Sequence, residues 1–99
     1  MAINVISVEK LVGLKVITSQ AFSLGTVKGA RVDTENWKIT HLHVKLDDNA
    51  ATTLGFKKRF RSSNVCVPVE MVAAVGDFVS IGRSLDELSR TQEIIECRD

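Results

Sequence analysis

Ninety-nine residues and 10.9 kDa are enough for one core and no second catalytic lobe. A hydrophobic share of 44% and a charged share of 25% exclude a disordered chain, and 13 basic against 12 acidic residues leave only +1, too little to steer nucleic acid or anionic membrane. Apolar runs such as Met71-Val72-Ala73-Ala74-Val75 have about five residues, far below the length of a spanning helix.

Met1-Ala2-Ile3-Asn4-Val5-Ile6-Ser7 lacks the basic start and sustained apolar stretch of a secretory signal, and two cysteines in neither a disulfide framework nor a zinc spacing make a reducing cytoplasm the expectation. Thirteen valines and seven isoleucines favour strands. Residues 3–6 read as an edge strand, and Ser7 as the cap of a helical turn leading to Gly13. Residues 14–18 read as a strand, Ser23-Leu24-Gly25 as a turn, and residues 26–33 as a second strand. The apolar phase of that strand slips at Gly29, which predicts a β-bulge.

Thr34-Glu35-Asn36-Trp37 reads as a hairpin turn entered by Asp33. In the returning strand, residues 38–46, Leu42, Val44 and Leu46 alternate with His41, His43 and Lys45. Asp47-Asp48-Asn49 breaks the pattern, residues 50–54 read as a loop, and residues 55–60 and 64–67 as two strands. Pro68 ends the latter. Residues 69–75 read as one or two helical turns with Val72 and Val75 inward, followed by a last strand over residues 78–81. Ser84-Leu85-Asp86-Glu87 is a capping box, starting a helix that extends to about Glu96 and either seals its own barrel or packs on a partner.

Cys66 and Cys97, thirty-one apart in sequence, form neither a disulfide framework nor a zinc spacing, and read as a buried core thiol and a free tail thiol. His41 and His43 share a strand face, as a ligand pair would, but Lys45 on that face repels a cation and no third ligand is near in sequence. They read as solvated strand residues, with a metal or small-ligand carrier as the competing use. Asp47-Asp48-Asn49 lacks the spacing of a calcium loop, and Gly25-Thr26-Val27-Lys28-Gly29 is not a phosphate loop. No serine or cysteine has a nucleophile motif, so no catalytic residue, cofactor or metal is expected.

Lys57-Lys58-Arg59-Phe60-Arg61 concentrates four cations in five residues. As a strand it would set Lys57, Arg59 and Arg61 on one face, to guard an edge, meet an acidic protein surface, or bind nucleic acid or anionic lipid. Trp37, at the hairpin turn, anchors an interface or packs across onto Ile39. Leu88, Ile94 and Ile95 on the C-terminal helix complete the interface candidates.

Val12-Gly13-Leu14-Lys15-Val16, Leu24-Gly25-Thr26-Val27, Val32-Asp33, Ile39-Thr40, Val65-Cys66-Val67-Pro68 and Val75-Gly76-Asp77-Phe78-Val79 occur in an order that resembles the PRC-barrel domain. That family is named for the photosynthetic reaction-centre H subunit and includes the C-terminal domain of the ribosome maturation factor RimM. The likeness spans about residues 7–82. Gly55-Phe56-Lys57-Lys58-Arg59-Phe60-Arg61-Ser62-Ser63-Asn64-Val65 resembles the small stand-alone archaeal members of the CdpB cell-division type. The resemblance implies a small β-barrel; together with the residue patterns above, the expectation is an all-β, small antiparallel PRC-type barrel with a short helical turn over residues 1–83, and a C-terminal capping or interface helix, started by the capping box, over residues 84–99. It further implies a non-catalytic adaptor at the division site. Such a protein would form a homodimer, or pair with a paralogous PRC-barrel protein, and join a SepF-like protein to the FtsZ machinery. RNA binding in ribosome maturation, as in RimM, is the alternative.

Overall fold

Ser7 is extended and its Oγ accepts the Lys10 N–H, so the chain opens with a capped helix, α1 (Val8–Leu11), that buries Leu11. The computed structural model describes residues 6–54, 64–90 and 95–96; the expected edge strand lies largely, and the strand over residues 55–60 wholly, outside them. Gly13 takes φ 98° to turn the chain into β1 (Lys15–Ile17). Thr18, almost wholly buried, closes the next turn: its Oγ1 accepts the N–H groups of Gln20 (3.3 Å) and Phe22 (3.1 Å).

β2 runs from Ser23 to Asp33 and β3 from Lys38 to Leu46, giving the longest hairpin of the fold. Residues 23–25 are therefore strand, not turn. Val16 pairs with Gly25 and Ile17 with Ser23, so Leu24 bulges between them and buries its side chain in the core. Gly25 serves a different need from a turn: a Cβ there would meet the Lys45 carbonyl oxygen of β3, with Leu46 beside it. The slip expected at Gly29 is present, the register shifting between Val27 and Gly29. Leu42, Val44 and Leu46 are buried, as their alternation requires.

Residues 48–54 are helical rather than a loop: α2 (Asp48–Leu54) buries Ala50 and Ala51 completely. β4 (Asn64–Pro68) pairs with β3, and a single 3-10 turn (Val69–Met71) leads into β5 (Val72–Val75). The helical reading of residues 69–75 thus holds only for its first half. Val75 is exposed, not inward, because β5 is an end strand. β6 (Phe78–Ile81) returns antiparallel to β5 but lies parallel to β1.

The result is one mainly β molecule with a few short helices. With β7 (Ile95–Glu96), its seven-stranded sheet has the order β5-β6-β1-β2-β3-β4-β7, with β5 and β7 as its ends. It is not a closed barrel, and the β1–β6 pair makes it mixed rather than wholly antiparallel. Val16, Leu24, Val27, Leu42, Val44, Val65, Val67, Val79 and Ile81 form the centre of the core, and α2 packs against a third helix, α3 (Leu85–Arg90).

The capping box forms: Ser84 Oγ accepts the Glu87 N–H (3.2 Å) and Glu87 Oε1 accepts the Ser84 N–H (3.1 Å). α3 spans only Leu85–Arg90, shorter than expected, and residues 95–96 form β7 instead. The backbone bond from Ser84 and its hydroxyl hold the exposed Glu87 carboxyl below its ordinary pKa. At the β2–β3 turn, the Glu35 N–H and the Asn36 side chain do the same for Asp33. A depressed folded pKa contributes stability that is present above the ordinary carboxylate range and lost as pH falls through the depressed value. The urea midpoint should therefore drop on acidification below that range, and Glu87→Gln should flatten part of that slope.

Candidate interaction surface

The β2–β3 turn begins with Asp33, whose Oδ1 accepts the Glu35 N–H (2.9 Å) and whose Oδ2 accepts from Asn36 Nδ2 (3.2 Å). The turn ends on Trp37 at φ 55°, a left-handed position usually given to glycine or asparagine. Its indole is 77% exposed, and Val32, near the same end of the hairpin, is exposed as well. Trp37 therefore does not pack across onto Ile39.

At the base of this projection lies an open hollow of about 530 Å³. Ile39, Pro68 and Val69 supply its apolar lining, and Asp33, Lys38, Thr40, His41 and Glu70 its polar lining. The register that pairs His41 with Pro68 brings these two stretches together. Pro68 and Glu70 were not among the candidates. Pro68 was legible as a strand end, but its partner was not.

Other candidates fare differently. Leu88 is buried in the core, so α3 turns this side chain inward on its own sheet. Lys57, Arg59, Arg61 and Ile94 lie outside the described residues, and Ile95 is placed only by its backbone, in β7 opposite Cys66. The β5 edge is apolar and uncharged, but it is four residues long and its register slips between Val72 and Ala74. Shortness and a bulge both blunt an edge. Among apolar groups, the hairpin end is thus the better-presented one.

His41 Nδ1 lies 3.0 Å from Thr40 Oγ1, and His43 Nε2 is buried with no hydrogen-bond partner. Among the described residues no three metal-binding side chains converge, and no helix is long and apolar enough to cross a membrane. Cys66 overturns the expectation of two free thiols: it is disulfide-bonded.

No protein-family model matches the chain, and no curated protein matches it in sequence. Weight therefore rests on Trp37 and the hollow beside it. An indole held outward at a backbone position that disfavours it supplies rigid apolar area for a contact. The mixed charges around the hollow suit the polar rim of such a contact.

Proposed function

We propose that the protein is a non-catalytic interaction module that associates with a second copy of itself through the β2–β3 hairpin. The exposed Trp37 carries this reading. In the left-handed region a non-glycine residue costs about 1–2 kcal/mol. Ala21 shares that conformation in the turn after Thr18, so what sets Trp37 apart is a large apolar side chain presented at 77% exposure. Projection and hollow lie next to each other on one hairpin, Lys38 and Ile39 following Trp37 directly. A two-fold axis beside the hairpin would seat each Trp37 against the hollow of the other copy, the self-complementary arrangement of a closed dimer.

Trp37 is the only tryptophan, so its fluorescence reports the contact directly. Emission should shift to the red on dilution as light scattering records the change from dimer to monomer. Trp37→Gly should stay monomeric at every concentration. Compared with dilute, monomeric wild type, it should be more stable by about 1 kcal/mol, because it relieves the left-handed backbone. A wild-type protein of strictly monomeric mass at high micromolar concentration, with solvent-exposed emission throughout, would sink the proposal.

The resemblance to archaeal PRC-barrel proteins supports a narrower role, as a cytoplasmic adaptor at the division site that joins a SepF-like protein. Co-sedimentation of the purified pair is the direct check on that role.

A further inference from the structure

Three of the side chains lining the hollow carry a full charge: Asp33, Lys38 and Glu70. Asp33 engages both carboxylate oxygens within its own turn, one with the Glu35 N–H and one with Asn36. Lys38 and Glu70 are exposed, and among the described residues neither side chain has an ion-pair or hydrogen-bond partner. They come from different stretches of chain. Lys38 follows Trp37 directly and starts β3, whereas Glu70 lies in the 3-10 turn after Pro68, which packs beside β3. The hollow thus offers one uncommitted cation next to the projecting indole and one uncommitted anion on the wall made by the 3-10 turn.

We infer that Lys38 of each copy pairs with Glu70 of the other across the two-fold axis, and that this reciprocal pair fixes how the two hairpins dock. The inference rests on the hairpin dimer proposed above. In a self-complementary interface, a residue that meets a second is itself met by that second, so the contact is made twice. Seating Trp37 in the hollow of the other copy takes Lys38, the next residue, to the same hollow, where Glu70 stands on the wall.

The balance of signs also selects the partner. A patch of one sign repels its own copy, whereas one cation and one anion attract it. The same balance presents no net field to a nucleic acid or to a strongly acidic protein. A pair of this kind lies at the solvated rim, where its own attraction is modest. Reversing one member turns both pairs of the dimer into repulsions, and that penalty is larger.

The test is charge reversal in trans on the whole chain. Lys38→Glu and Glu70→Lys should each dimerise at least about tenfold more weakly than wild type at low salt. An equimolar mixture of the two should regain the dimer, because both pairs of the mixed dimer again join opposite charges. Light scattering gives the mass, and Trp37 emission the burial of the indole. Lys38→Glu also sets a carboxylate opposite Asp33, its register partner across the hairpin, so its urea midpoint is measured alongside. Lys38→Gln adds no negative charge; it should dimerise more weakly than wild type, with a dissociation constant less sensitive to salt. Folded single variants that dimerise like wild type, a mixture of them no tighter than either alone, or a Lys38→Gln dimer as tight and as salt-sensitive as wild type would each overturn the pairing and leave the hairpin dimer standing. A wild type monomeric at every concentration would remove the dimer and the pairing together.

Discussion

Gly25→Ala is expected to destabilise the protein by more than about 3 kcal/mol, the upper part of the range for forced overpacking. A Cβ at this position would lie 2.1 Å from the Lys45 carbonyl oxygen, 2.8 Å from the carbonyl carbon and 2.9 Å from the Leu46 Cα. These are backbone atoms, and no rotamer change can move them aside. β2 is hydrogen-bonded to β1 on one side and β3 on the other, so relief requires breaking one of the two ladders. Small domains have only about 5–15 kcal/mol in total, so the variant should unfold at much lower urea with its m-value kept. Gly29→Ala is the control in the same strand. The nearest atom a Cβ would meet there is the His43 Cβ at 4.0 Å, so that variant should unfold near the wild-type midpoint. A Gly25→Ala protein as stable as wild type would mean that β2 and β3 are not spaced as described.

Ile81→Ala should cost about 2–5 kcal/mol, and Ile81→Val about 0.5–1.5 kcal/mol. Ile81 is 1% exposed and ends β6, the strand that joins β1 to β5. It pairs with Val72 across the β5–β6 ladder and packs in the same cluster as Val16 and Val79. A strand held on both sides cannot collapse into the space left by three missing carbons, so the cavity persists. Calorimetry of the three proteins should show a graded series; an alanine variant within error of wild type would place Ile81 outside the core.

How legible each element was depended on whether its cause was local. β3 could be read from Leu42, Val44 and Leu46 because one face meets the core and the other does not. The α3 cap was legible because Ser84 and Glu87 satisfy each other three residues apart. Gly25 was misread because a glycine in a turn and a glycine beneath a neighbouring backbone look alike until the neighbour is known. α2 escaped because it faces the core with Ala50 and Ala51, too small to mark an apolar stripe. β5 escaped because four residues after a 3-10 turn show no period.

The candidate surface divides in the same way. Trp37 could be recognised as a turn residue from its neighbours. The hollow depends on His41 meeting Pro68, a non-local pairing no local pattern encodes.

The parallel pairing of β1 with β6 also has a consequence for how the molecule is made. β1 leaves the ribosome about sixty residues ahead of its partner at Phe78–Ile81. Until then β1 has one edge open and Val16 lacks its register partner Val79. Assembly therefore waits on a late, long-range closure, which slows it and leaves the young chain dependent on protection from aggregation.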